Sequence, residues 1–138
     1  MERRDFLIKS CALCIGGTVL SGFLESCQSI PIFKTISENK KVKIPLDQFK
    51  KNNFLIVRPE NVAYDIAVIK QKETEYNSYV MLCTHADNPL RFNGKTFSCS
   101  LHGSLFNNIG EVEKGPAEKP LISLMTQLEN NTLTIKLF

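Results

Sequence analysis

Short runs with a period of two dominate the chain after about residue 41. The alternation is clearest near the C-terminus, where Leu133, Ile135 and Leu137 are separated by Thr134 and Lys136. Such alternation is typical of a strand with one buried face. Runs rich in β-branched and aromatic residues, bounded by turn residues, predict further strands at 42–46, 53–59, 63–71, 76–83 and 121–129.

Two dipeptides predict tight hairpins. Asn130-Asn131 separates the last two predicted strands, and Asn93-Gly94 lies between the segments 83–85 and 99–102. Asparagine and glycine are suited to the positive φ angles of such turns. No long amphipathic helix is predicted, and 46–53 would form at most one or two helical turns. We therefore expect an all-β domain, mostly antiparallel, built as a sandwich or small barrel.

The first part of the chain has a different pattern. Residues 1–27 begin with charged residues and continue into an apolar run from about Cys11 to Leu24. A helix of that length would span about 21 Å, which is less than a bilayer core of about 30 Å. This pattern predicts an export signal or anchor over 1–27. Residues 28–41 are predicted as a tether or an irregular first strand, and 42–138 as the single domain.

The charged start resembles a twin-arginine signal. Arg3 and Arg4 are followed by Asp5, Phe6 and Leu7, and signals of this type export proteins that are already folded in bacteria. The sequence thus predicts a protein on the periplasmic side of the membrane.

The segment Leu24–Cys27 resembles a lipoprotein cleavage box, with leucine three positions before the cysteine and Ser26 directly before it. Glu25 is an unusual residue there. Lipidation of Cys27 would anchor the mature protein stably to a membrane, and the alternative is cleavage nearby with a free thiol. Cys11 and Cys14 lie within the apolar leader and are not interpreted as a redox pair.

Composition narrows the possible partners. The 138 residues have a formal net charge of +3 and 43% hydrophobic residues, which is ordinary for a globular protein. Lysines and arginines are scattered rather than arranged in a stripe that could follow a phosphate backbone. The sequence therefore indicates no nucleic-acid partner.

Candidate chemistry is concentrated in one stretch. Apart from the leader and Cys27, the chain has two cysteines and two histidines, in the order Cys83, His85, Cys99 and His102. A disulfide is common in exported proteins, but it would not explain why a histidine follows each cysteine. A metal centre explains all four. On spacing alone, the set could bind one tetrahedral Zn²⁺ or a [2Fe–2S] cluster.

The surrounding motifs resemble the Rieske iron–sulfur family. That family carries a C-T-H motif, then C-x-x-H-G-S-x-F or -Y, then a G-P-A turn over the cluster. This chain has CTH at 83–85, CSLHGSLF at 99–106 and GPA at 115–117. The resemblance covers about 76–124 in detail, and the flanking strands agree with it only as general β-structure.

The resemblance implies a Rieske-like β-fold with one [2Fe–2S] cluster per chain, held by two loops within about 80–118. It implies that Cys83 and Cys99 bind the inner iron and that His85 and His102 bind the outer iron near the surface. The exposed imidazoles would be the exit for the electron.

The chain departs from the family members of quinol-oxidising complexes at three positions. Asn88 and Leu101 stand where those proteins have a disulfide, and Leu101 could supply an apolar contact instead. Phe106 stands where they have tyrosine, so a hydroxyl donor to a ligand sulfur is lost. Ser104 is retained and can donate to a bridging sulfide. These departures predict a lower midpoint potential than that of the disulfide-containing type.

Leu105, Phe106 and Pro116 are expected to form an apolar rim beside the cluster, serving either local packing or docking.

Three functions remain open. The leading hypothesis is a non-catalytic electron carrier tethered to a membrane through its leader or a lipid, which docks weakly to a cytochrome or a membrane oxidoreductase. The second is the Rieske subunit of a quinol-oxidising complex of the cytochrome bc type, with the leader as its anchor. The third is a zinc-stabilised binding module. No spare histidine remains for a mononuclear iron, so the sequence favours a redox protein over an oxygenase catalytic subunit.

Overall fold

The computed structural model of the chain describes residues 29–138. Eleven strands and one 3-10 helix, Leu46–Phe49, make up its regular structure. The strands in chain order are β1 Ile32–Thr35, β2 Lys41–Pro45, β3 Phe54–Pro59, β4 Ile66–Lys70, β5 Tyr76–Val80, β6 Leu90–Phe92, β7 Phe97–Cys99, β8 Leu105–Phe106, β9 Val112–Lys114, β10 Ser123–Glu129 and β11 Thr132–Lys136. The predicted export signal and lipidation site lie outside the described residues, namely Arg3, Arg4 and Cys27, as do Cys11 and Cys14.

A seven-stranded sheet forms the base of the molecule, in the order β1-β3-β4-β5-β10-β11-β2. Side chains from β2, β3, β4, β5, β10 and β11 meet in one apolar core, so the sheet curls around its own interior like a barrel. Fully buried Val42, Ile44, Val57 and Ile135 lie in this first core. The all-β prediction is confirmed.

The segment 28–41, predicted as a tether or an irregular first strand, contains the strand β1. Residues 32–35 of β1 pair in parallel with 56–59 of β3, and the backbone N–H of Ile56 donates to the Pro31 carbonyl over 2.9 Å. This is the one parallel pair among the described strands; the other strand pairs are antiparallel. The folded unit therefore begins before residue 42, because backbone pairing and the packing of Phe33 on the first core hold this strand.

The strands of the base sheet differ in how many of their faces are buried. Alternate residues are buried along β2 and β11, which cover the first core from one side. The middle strands β3, β4 and β5 are buried on both faces. Their other face carries Ile56, Ala67, Ile69 and Tyr79, which belong to a second apolar core. This explains why β3 and β4 have continuous apolar runs in the sequence.

A four-stranded sheet, β6-β7-β8-β9, covers the second core. Its strands are only two or three residues long, and three aromatic rings anchor it. Phe92 and Phe97 stack with centroids 4.2 Å apart, and Phe106 pairs with Phe97 across β7 and β8. The small sheet therefore depends on a few large side chains.

Both predicted hairpins are confirmed. Asn130 and Asn131 have φ angles of 44° and 63° between β10 and β11. Gly94 has a φ of 93° in the β6–β7 turn, and a Cβ there would lie 2.9 Å from the Phe54 ring. The turn therefore needs glycine for its backbone and for its close approach to the base sheet.

Candidate metal centre

The first predicted ligand pair lies in a tight loop after β5. The loop spans Cys83–Asn88 and is closed by two backbone hydrogen bonds, from Cys83 N–H to the Asn88 carbonyl and from Asp87 N–H to the Cys83 carbonyl, each 2.8 Å. Asp87 has a φ of 49°. The predicted strand 76–83 therefore ends early, at Val80, because the backbone of Cys83 bonds within its own loop.

The second predicted pair lies in a loop built in the same way. In Cys99–Ser104, Cys99 N–H donates to the Ser104 carbonyl over 2.9 Å, and Gly103 N–H donates to the Cys99 carbonyl over 3.0 Å. Gly103 has a φ of 80°. In both loops the fourth residue after the cysteine has a positive φ and the fifth closes the loop with its carbonyl. The loops thus present their cysteines in equivalent backbone positions.

The two cysteines meet in the interior. Cys83 is 1% exposed and Cys99 is 4% exposed, and both are free thiols. Burial raises the pKa of the Cys99 thiol, but hydrogen bonds from the backbone N–H groups of His102 and Leu101 oppose it. Together with smaller contributions from the side chains of Cys83 and Asn88, they bring this pKa below its ordinary value. Such surroundings suit a thiolate ligand.

The two histidines meet at the surface. His85 and His102 are both exposed, and their Nδ1 atoms lie 3.2 Å apart. The rings are nearly perpendicular, with centroids 4.8 Å apart. Two imidazoles bound to one tetrahedral metal at about 2.1 Å would have nitrogens about 3.4 Å apart. The observed separation is therefore suitable for two ligands of a single ion.

A third segment, 115–119, packs against both loops. The buried hydroxyl oxygen of Ser104 accepts a hydrogen bond from Ala117 N–H over 3.0 Å. On the other loop, the Thr84 hydroxyl donates to the Lys119 carbonyl over 2.6 Å. Because the Ser104 oxygen acts as an acceptor here, its own hydroxyl hydrogen remains free to donate elsewhere.

The structure separates the apolar residues that were expected near the cluster. Phe106 is completely buried in the second core, where its backbone pairs with that of Phe97, so this residue serves local packing and is not available for docking. Leu101 is 57% exposed and belongs to the surface beside His102 instead of supplying a packed contact. Of the expected rim, Pro116 is exposed and Leu105 is half-buried.

Sequence reasoning missed one residue of the site. The Asn88 side chain donates to the Cys99 sulfur with Nδ2 and Sγ 3.6 Å apart, whereas the sequence identified Asn88 only as a position without cysteine. No spacing signal could have revealed this contact, since it joins two loops. The sequence contains one weak indication: Asn88 follows Cys83 by five residues, just as Ser104 follows Cys99 by five.

The arrangement separates the ligands into two pairs. Among residues 29–138, no group of three or more histidine, cysteine or acidic side chains could hold one metal ion. A structural Zn²⁺ takes four ligands at one point. A buried thiol pair and an exposed imidazole pair instead suit two irons, each with two protein ligands, in a [2Fe–2S] cluster. The residues present therefore fit that group.

Known protein structures have a similar fold. The cyanobacterial plasma membrane Rieske protein PetC3 from Synechocystis PCC 6803 is similar, at 24% identity and a TM-score of 0.57, over 69% of this chain and 98% of that one. A chain from the complex of reduced oxygenase and oxidized ferredoxin in carbazole 1,9a-dioxygenase is 17% identical with a TM-score of 0.53, over 72% and 94% of the two chains. None of the curated proteins matches the chain.

These structural likenesses show a shared fold, and the family itself follows from the sequence match. The family model of the Rieske [2Fe-2S] domain matches residues 39–129, which is more than half of the chain. The chain therefore belongs to the Rieske [2Fe–2S] family, carries one such cluster and has the electron-transfer role of that family.

Proposed function

We propose that the protein is a single-cluster electron carrier in which Cys83 and Cys99 bind the inner iron and His85 and His102 bind the outer iron. The main observation behind this proposal is the difference in burial between the two pairs: the thiols are buried and the imidazoles are exposed. When bound, the cluster supplies one-electron oxidation and reduction. The protein's part is to shield the thiolate side and to leave the imidazole side open to a partner.

The shielding comes from the second core, in which both cysteines pack with Leu90, Phe97 and Ala117. Water is excluded from the sulfur side, and electrostatic interactions there are stronger than in water. The exposed edges of His85 and His102 are the shortest way out for an electron. Both histidines of the chain are used in this way, and no catalytic residue is proposed.

The polar groups around the site would adjust the midpoint potential. The Ser104 hydroxyl hydrogen would be available to donate to the bound cluster, because the hydroxyl oxygen serves as the acceptor for Ala117 N–H. Phe106 offers no such donor. Imidazole ligands place these clusters at about −150 to +300 mV, and we expect a midpoint below that of the disulfide-containing respiratory type.

The surface around the histidines suits brief docking. Exposed Leu101 and Pro116 lie beside His102 and His85 respectively. Weak electron-transfer complexes bury less than about 1,200 Å², so a small patch of this kind is sufficient. The proposed partner is a cytochrome or a membrane oxidoreductase.

We place the protein on the periplasmic side of a membrane. The twin-arginine motif, the apolar leader over 1–27 and the lipidation candidate Cys27 support this. Within residues 29–138, no helix has the length and hydrophobicity needed to cross a bilayer. The proposed anchor is the leader or a lipid on Cys27.

A spectroscopic redox titration of protein purified from its native membranes tests the function. We expect iron, acid-labile sulfide and an electron paramagnetic resonance signal in the reduced protein, with a midpoint inside the range given above. Colourless protein without iron and sulfide would reject the proposal, and zinc in its place would support a zinc-stabilised module.

Mass spectrometry of the mature N-terminus tests the membrane attachment. A lipidated Cys27 supports the tethered carrier. An intact leader would favour the second candidate, a subunit of a quinol-oxidising complex, against which the absence of a disulfide at Asn88 and Leu101 already counts.

A further inference from the structure

The two ligand loops share one backbone design, and their fifth residues after the cysteine are therefore equivalent. Asn88 closes the first loop and Ser104 closes the second, each by accepting the N–H of its own cysteine. Both residues have short polar side chains that carry hydrogen-bond donors. The equivalent positions raise the question of what the Asn88 side chain does.

Its contacts use both hydrogens of the amide nitrogen. Nδ2 of Asn88 lies 3.2 Å from the Pro89 carbonyl oxygen and 3.6 Å from Cys99 Sγ. An amide nitrogen has two hydrogens, so each contact takes one. The opposite orientation would place the amide oxygen against a carbonyl and a ligand sulfur, both of which are acceptors. The chemistry of its neighbours thus determines the orientation of the amide.

We propose that Asn88 is a positioning residue for the redox centre, which donates an N–H to Cys99 Sγ across the two loops and thereby raises the midpoint potential. This inference rests on the proposed role of Cys99 as a ligand. The other donors to this sulfur are the backbone N–H groups of Leu101 and His102, within its own loop, and the thiol of Cys83. Asn88 differs because it is not a proposed ligand and its donor can be removed by substitution.

The direction of the effect follows from charge. Reduction adds one negative charge to the centre, and part of that charge falls on the ligand sulfurs. A hydrogen-bond donor stabilises the more negative state more strongly, and burial at Cys99 strengthens the interaction because water does not compete. Loss of the donor should therefore make reduction less favourable.

The test is the midpoint potential of Asn88→Leu, which keeps approximate volume and removes both N–H donors. We expect the reduced-to-oxidised ratio at a given potential to fall about three- to tenfold, or about 30 to 60 mV for one electron. Asn88→Asp keeps the shape and adds a negative charge, so its midpoint should fall further. An unchanged midpoint in a variant that retains its cluster would overturn the proposal.

Asn93→Leu is the matched control. Asn93 lies at the far end of the β6–β7 hairpin, where its side-chain oxygen accepts from the backbone N–H groups of Lys95 and Thr96. The same substitution there loosens the small sheet without touching a sulfur. We expect lower stability and an unchanged midpoint. An equal fall in both variants would show that Asn88 acts only through general loosening, and it would overturn the assignment.

A measurement on the unaltered protein tests the same hydrogen bond if the Asn88 variants lose the cluster. Protein labelled with ¹⁵N only in asparagine side-chain amides is reduced and studied by pulsed electron paramagnetic resonance. We expect a weak ¹⁵N coupling from Asn88, and its absence overturns the inference. Absence of any cluster signal would instead reject the proposed function, so the two failures can be told apart.

Discussion

The two sheets of this protein are held together in different ways. The base sheet has strands of four to seven residues that wrap around a core of mainly aliphatic side chains. The small sheet has strands of two to three residues, and the loops beside it carry the proposed ligands. Strands this short make few ladder hydrogen bonds, and aromatic packing by Phe92, Phe97 and Phe106 attaches them to the base.

The difference indicates that the two sheets depend on different interactions for their stability. Apolar burial can stabilise the base sheet without any ligand, whereas the ligand loops at the tip gain stability when metal binding joins them. Binding free energy at a metal site contributes directly to folding of the segments that form it. The base would therefore be a scaffold, and the small sheet a unit whose order depends on the cluster.

Loss of one ligand should give the largest effect. We expect Cys83→Ser to abolish the cluster, because one iron would lose one of its two protein ligands, while the β-sheet circular dichroism of the base remains. Iron content and visible absorbance measure this. Cys14→Ser is the matched control in the leader and should leave the iron content unchanged. Full cluster content in Cys83→Ser would disprove the ligand assignment.

The next effect concerns the first core alone. Ile135 is completely buried, and Ile135→Ala should lower the free energy of unfolding by about 2–5 kcal/mol through lost burial and a cavity. Because the residue lies in the first core and not the second, the midpoint potential should not change. Urea unfolding and redox titration measure the two quantities.

Ile122→Ala serves as its control, since that side chain is 45% exposed and its loss should cost less than about 0.5 kcal/mol. A shift in potential in Ile135→Ala would show that the two sheets are coupled more tightly than their separate cores indicate.

Removal of the cluster should affect the two sheets unequally. After chelation of the iron, we expect backbone amides in 83–88 and 99–104 to exchange with solvent about tenfold faster, and those of β4 and β11 to exchange at the same rate as before. Hydrogen exchange followed by mass spectrometry gives both values. Equal acceleration throughout the chain would contradict the proposed division between scaffold and dependent unit.

The smallest expected effect is on the potential. Phe106→Tyr should raise the midpoint, by no more than about 59 mV, if the new hydroxyl donates to a ligand sulfur and stabilises the reduced state. Phe138→Tyr, at a residue 66% exposed, is the control and should not move it. A fall or no change in Phe106→Tyr would mean that the buried ring cannot place a hydroxyl near the sulfur.

Much of the fold could be predicted from local pattern. The strands β2, β3, β4, β10 and β11 follow from side-chain periodicity or apolar runs, and the β10–β11 hairpin follows from Asn130-Asn131. In contrast, β6, β8 and β9 are too short to produce a periodic signal. The strand β1 pairs in parallel through its backbone, and a short segment carries no sequence mark of such pairing.

Some features of the site could likewise be predicted from the sequence, and others could not. The identity and spacing of the four ligand-type residues are local properties, and they were sufficient to identify a metal centre. The burial of Phe106 and the exposure of Leu101 could not be predicted from the sequence, because both depend on which face of the small sheet meets the base sheet. The contact between Asn88 and Cys99 joins residues of two different loops.

By itself, the sequence determined the β-class, the turns and the two cysteine–histidine pairs, since each of these follows from side-chain chemistry within a few residues. Only the tertiary structure decided that the thiols are inside and the imidazoles outside, and that Asn88 reaches the opposite loop. The physical reason is that burial and cross-loop hydrogen bonds arise when distant segments pack together, and no single segment specifies its neighbours.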